Sequence, residues 1–124
     1  MDIIISNSSG KPIYEQITSQ IKEMIMNGSL KAGDALPSMR TLAQNLRISI
    51  ITTKRAYEEL ERDGFIESYT GRGSCVKAQN LELYREEQIK RIEGLLMEAG
   101  DAARKVGVTM EELHELLDLV NGGE

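Results

Sequence analysis

One helical stripe constrains this chain more than any other feature. Thr53, Ala56, Tyr57 and Leu60 fall at i, i+3, i+4 and i+7, which places four side chains on one face of a helix. Ser49 stands where an N-cap hydroxyl accepts from the first free N–H groups, and Asp63-Gly64 ends the run, because glycine takes the left-handed C′ conformation cheaply. A shorter helix precedes it. Pro37 biases Leu36 toward an extended conformation, Ser38 is the N-cap, and Leu42 and Leu46 share a face four residues apart. That helix fails near Arg47. The link left between the two is about three residues, as a helix-turn-helix requires.

The second helix has an opposite face of another kind. Ile51, Lys54 and Arg55 point away from the stripe, with Ile50 and Thr52 at the leading edge and no acid before Glu58. A recognition helix sets its first residues against base edges, while hydroxyls and cations hold phosphates. Ser49, Thr52, Lys54 and Arg55 are therefore candidates for contact with DNA; the competing reading is an ordinary solvated helix face. Phe65 to Tyr69 and Ser74 to Lys77 read as two short strands around Thr70-Gly71-Arg72-Gly73. The glycines permit a tight turn and close approach of backbone to a ligand. Arg72 at the tip suits a phosphate or a narrow minor groove, or else serves as a solubilising turn residue.

Upstream, Pro12 to Asn27 reads as a helix with Ile13, Ile17, Ile21 and Met24/Ile25 on its core face. Ile3-Ile4-Ile5 forms either an arm packed on a partner subunit or an ordered edge of the same domain. Ser29 to Ala35 reads as a turn. Downstream, Ile89, Ile92, Leu96, Ala99, Ala103 and Val106 alternate at spacings of three and four, the seam of a helix that packs on another. Gly94 and Gly100 weaken that helix by about 1 kcal/mol each relative to alanine, so packing has to hold it. Gly107 breaks it, Thr109-Met110-Glu111-Glu112 reads as a capping box, and a last helix carries Met110, Leu113, Leu116/Leu117 and Val120 before Asn121-Gly122-Gly123 closes it. This helical hairpin has more apolar face than it can bury alone. Two copies packed together are the simplest sink, with Leu113 and Leu117 joining the seam.

Charge is divided along the chain. The net charge is −5 over 124 residues, yet residues 38–77 carry +2 and residues 81–124 carry −6. A weakly basic, local footprint implies modest and salt-sensitive non-specific binding to nucleic acid. The single Cys75 excludes an intramolecular disulfide, and without a neighbouring base it reads as a structural thiol rather than a nucleophile. Glu111 and His114 have half the spacing of a di-iron motif, but the other carboxylates are missing, and His114 reads as a surface or interface residue. No catalytic constellation, metal set, cofactor loop or membrane-length apolar run is visible, and no signal peptide, so the expectation is a cytoplasmic protein that is not an enzyme.

Across Pro12 to Lys77 the residues Gly33-Asp34, Leu36-Pro37-Ser38, Arg40, Leu42-Ala43, Ser49, Thr52, Ala56-Tyr57, Leu60-Glu61, Gly64, Ile66 and Gly71-Arg72-Gly73-Ser74 recur in one order and spacing. In these the chain resembles the DNA-binding domain of the GntR family of bacterial transcription regulators. The resemblance implies a mainly α fold with a small β-wing: a winged helix-turn-helix over residues 1–77, then a helical dimerisation region over 78–124. It implies DNA contact at the positions of Arg40, Thr52 and Lys54, and through the backbone of Gly71; Ser38, the cap of the first helix, is counted with them as a candidate. Ile50 departs from the pattern, since many members have an arginine there that reads guanine; Ile50 or Ile51 instead touches a thymine methyl or packs at a boundary. Arg47 also departs, standing where glycine is common. The short tail resembles the YtrA-type subgroup, whose C-terminal helices mediate dimerisation. The expected protein is a homodimeric regulator, a repressor, on a two-fold symmetric double-stranded operator, with room for a small-molecule effector of unknown identity. The alternative is a winged-helix module for a protein partner, without DNA binding.

Overall fold

The structure, a computed structural model, describes residues 1–78 and 81–122. The chain divides into two compact units, Met1–Asn80 and Leu81–Glu124.

The first unit is three helices and a hairpin: α1 (Ile13–Met26), α2 (Met39–Leu46), α3 (Ile50–Arg62), β1 (Ile66–Tyr69) and β2 (Gly73–Val76). α3 is its hub and packs against α1, α2 and β1. The buried face of α3 is Thr53, Ala56, Tyr57 and Leu60, the stripe legible in the sequence. It meets Ile17 and Ile21 of α1, Leu42 and Ala43 of α2, and the Phe65-Ile66 pair in a common core. Fully buried side chains such as Ile17, Ile21, Leu60 and Phe65 contribute about 1.5–3 kcal/mol each. Lys22 adds an ion pair to Asp63 at 3.0 Å, tying α1 to the end of α3.

Capping marks where α2 and α3 begin and end. Ser38 Oγ accepts from Thr41 N at 3.0 Å, and Ser49 Oγ accepts from Thr52 N at 3.0 Å. α2 ends in a Schellman motif: Ile48 N donates to the Ala43 carbonyl at 3.0 Å and Arg47 N to that of Gln44 at 3.3 Å. Arg47 takes the left-handed conformation itself, with φ 58° and ψ 47°. α3 ends the same way, with Gly64 at φ 83°.

Two segments differ from the sequence reading. The strands begin one residue later and earlier than expected, at Ile66 and Gly73, because Phe65 turns into the core and only its carbonyl joins the hairpin, accepting from Lys77 N. The stretch read as a turn up to Ala35 ends as a third edge on the wing. Ala35 bridges Cys75, Leu36 N donates to the Ser74 carbonyl, and Val76 N to that of Asp34, each at 2.9 Å. The run is too short for strand periodicity to declare itself.

The Ile3-Ile4-Ile5 arm is an edge of its own unit. Ile3 is buried, and the backbone of Ile4 and Ser6 is clasped by the side-chain amides of Gln20 and Gln16. Each glutamine both accepts from an N–H and donates to a carbonyl, as a neighbouring strand would. Four residues of helix advance about 6 Å and two of strand about 6.6 Å, so the two amides match the arm's repeat.

The second unit is α4 (Glu82–Lys105) and α5 (Met110–Val120), packed on each other. Gly107, at φ 75°, turns the chain between them, and Thr109 and Glu112 form the reciprocal capping box. The expected seam is unevenly used. Ala103 is buried and Ala99 and Leu113 half-buried, whereas Ile89, Ile92, Leu96 and Leu117 stay exposed. Val106 lies beyond the last turn of α4 as its cap and is exposed. The closing role given to Gly123 falls outside the described residues.

Candidate nucleic-acid interface

Of the five helices among the described residues, two start without an acid. α1 has Glu15 in its first turn, α4 has Glu82, and α5 has Glu111 and Glu112. An acid there is the usual answer to the positive end of a helix. α2 and α3 have none. From Ala35 to Tyr57 the chain contains no Asp or Glu at all, while Arg40, Arg47, Lys54 and Arg55 lie within it. Both N-termini are satisfied by neutral hydroxyls alone, which leaves their residual positive potential open to an anion from outside.

The hydroxyls are committed to this capping. Ser38 Oγ also donates to Thr41 Oγ1 at 2.8 Å, and Ser49 Oγ and Thr52 Oγ1 share a hydrogen bond of 2.9 Å. Arg40 and Lys54 are exposed and make no ion pair among the described residues. Ile50 is 47% exposed at the leading edge of α3, and Ile51 is 80% exposed on the side opposite the stripe. Arg55 is placed differently from its neighbours. Its guanidinium stacks over the Tyr14 ring at 3.7 Å from the centroid, so it braces α3 against α1 as well as presenting a charge. Nothing in local periodicity pairs Tyr14 with Arg55; the helix crossing does.

The angle between α2 and α3 is pinned by Tyr57. Its hydroxyl donates to the Pro37 carbonyl at 2.7 Å, immediately before the Ser38 cap, and burial pushes the phenol up to about 12. A buried tyrosine needs such a partner, so the sequence signalled that one exists without saying where. On the wing, Gly71 and Gly73 adopt φ values of 79° and 76°, and Arg72 is exposed between them. Nothing lies within 4 Å of a Cβ built on Gly71, so its conformation rather than crowding demands glycine. Cys75 is half-buried beside Ala35, and His114 lies on α5 in an apolar groove with Leu96, Met110 and Leu117. Among the described residues no group of His, Cys, Asp and Glu is arranged to hold a metal ion, and no helix is long and apolar enough to cross a membrane.

A capped helix pair joined by a tight turn, followed by a two-stranded hairpin with an arginine at its tip, defines a winged helix-turn-helix protein. The family described as bacterial regulatory proteins, gntR family, matches residues 13–76. The repressor YtrA of Bacillus subtilis (strain 168) is 40% identical over 113 residues, covering 91% of this chain and 87% of that protein. Among solved structures, YtrA from Sulfolobus acidocaldarius, described as a GntR-family transcription factor, is similar with a TM-score of 0.62 and 39% identity over 74% of this chain and 97% of that one. A protein from Listeria monocytogenes EGD-e described as a transcriptional antiterminator reaches a TM-score of 0.72 at 31% identity, covering 98% of this chain and 90% of its own. The chain belongs to the GntR family of bacterial regulatory proteins. It is a regulatory protein and not an enzyme.

Proposed function

We propose that this chain is a homodimeric, DNA-binding transcription repressor that acts in the cytoplasm on an operator with two-fold symmetry. The observation that carries the reading is the acid-free stretch from Ala35 to Tyr57, with two helix N-termini capped by hydroxyls and left open to phosphate. α3 is the recognition helix and enters the major groove by its first two turns. Ile50, Ile51 and Thr52 face base edges, while Ser49, Lys54 and Arg55 lie toward the backbone. Ser38 and Arg40 hold phosphate from the start of α2, and Gly71 and Arg72 reach the adjacent groove from the wing. Repression is supported by the name of the 40% identical relative.

Dimerisation falls to the second unit. Ile92, Leu96 and Leu117 are each about half exposed, and a groove of about 460 Å³ between α4 and α5 is lined almost wholly by apolar side chains. A second copy laid on α4 and α5 removes that surface from water, with Ile89, Ala99 and Val106 at its margins. Two linked DNA-binding units then multiply a modest single-site affinity.

The test is selection of DNA fragments from a random pool by the purified protein, followed by titration at rising salt. A palindromic site should emerge. Arg40→Ala and Lys54→Ala should each weaken it by about tenfold or more and reduce the salt slope by about 1, with unchanged unfolding midpoints. Retention of no fragment at low salt would sink the proposal and favour a protein-binding role for the same face.

A further inference from the structure

The first turn of α3 offers DNA an aliphatic surface where a hydrogen-bonding one would be expected. Its two hydroxyls are partly engaged with each other and with the cap. Ser49 Oγ accepts from Thr52 N and shares a hydrogen bond with Thr52 Oγ1, and Thr53 Oγ1 donates back to the Ser49 carbonyl at 3.2 Å. What projects is Ile50 and, above all, Ile51, which is 80% exposed. Neither isoleucine belongs to the core of its unit, whereas Ile48, just before the cap, is half-buried. The surroundings name the occupant. Lys54 lies one turn on, no acid precedes Glu58, and the helix start is positive, so the patch faces a polyanion rather than another apolar protein surface.

In the major groove one base edge carries an exposed methyl group, that of thymine. An isoleucine gains apolar contact there. Against guanine or cytosine it strips water from polar edges and returns no hydrogen bond, which costs affinity. We infer that Ile51, with Ile50 beside it, reads the 5-methyl groups of thymine, so that each operator half-site is recognised in part by apolar contact with methyl groups. This rests on the DNA-binding reading above and states which chemical group that site selects.

The experiment replaces each thymine of the selected half-site, one at a time, by deoxyuridine, which deletes only the methyl. Binding should fall by about fourfold at one or two positions, the amount expected for one buried methyl. Ile51→Ala should bind more weakly and lose the distinction between thymine and deoxyuridine at one of those positions, while Lys54→Ala should weaken binding and keep it. Tight, sequence-specific binding that is indifferent to deoxyuridine at every position overturns the inference and leaves the DNA-binding reading standing. Absence of any specific DNA binding overturns both.

Discussion

Arg47 is the one non-glycine residue among those described whose φ is positive, at 58°. The left-handed region costs an L-residue about 1–2 kcal/mol, while glycine costs about 0.4–1 kcal/mol in unfolded-chain entropy. The difference favours glycine, so Arg47→Gly should raise stability by about 0.5–1 kcal/mol in a urea titration. A loss of stability would mean that the arginine side chain repays its strain through contacts. Tyr57 sets a second residue-scale expectation. Its phenol is raised from 10 to about 12, so the fold prefers the protonated form. The contribution is fully present below pH 10 and disappears as pH climbs toward 12, an alkaline loss of about 2–3 kcal/mol. Tyr57→Phe should cost about 1 kcal/mol at neutral pH, through the lost bond to Pro37. It should also flatten the decline between pH 10 and 12, as unfolding measured at pH 7, 9 and 11 would reveal.

At the scale of elements, the helices were legible because their signals are local. The caps at Ser38, Ser49 and Thr109, the stops at Gly64 and Gly107, and the stripe on α3 each lie within about one to three turns of chain, where geometry is set by neighbours. The arm was not legible. Its partners are Gln16 and Gln20, and a glutamine on a helix usually reads as solvated. Gln16→Ala removes three hydrogen bonds, to the backbone of Ser6 and Lys11, and should cost about 1–3 kcal/mol. The Ser6 amide should then exchange with solvent at nearly the rate of an unstructured peptide; retained protection would dissolve the clasp. Gly94, by contrast, sits within α4 with nothing within 4 Å of an added Cβ. Gly94→Ala should stabilise the second unit by about 1 kcal/mol, read from its thermal unfolding.

For the whole molecule, the decisive quantity is the apolar surface left on the second unit. Leu96 and Leu117 are 52% and 47% exposed, so a charge there is tolerable in a lone protomer and ruinous inside a two-copy interface. Leu96→Glu or Leu117→Asp should give a folded monomer by sedimentation, with operator affinity lower by about a hundredfold or more. A dimer that survives both changes would place the interface elsewhere. The charge follows the same division: residues 81–124 carry −6 and residues 38–77 carry +2, so a polyanion is attracted to the first unit and repelled by the second.

What the chain's sequence determined alone is everything governed by periodicity, caps and stops. The three-helix order, the capped helix pair, the hairpin and the acid-free approach to α3 follow from spacings of three, four or two residues, and from glycine where φ is positive. The tertiary structure alone decided which partners meet across long separations. Tyr57 found Pro37, Arg55 found Tyr14, Leu36 found Ser74, and two glutamines found the arm. Those contacts depend on helix crossing angles and loop paths, which are set by how the whole core packs. No local stretch encodes them.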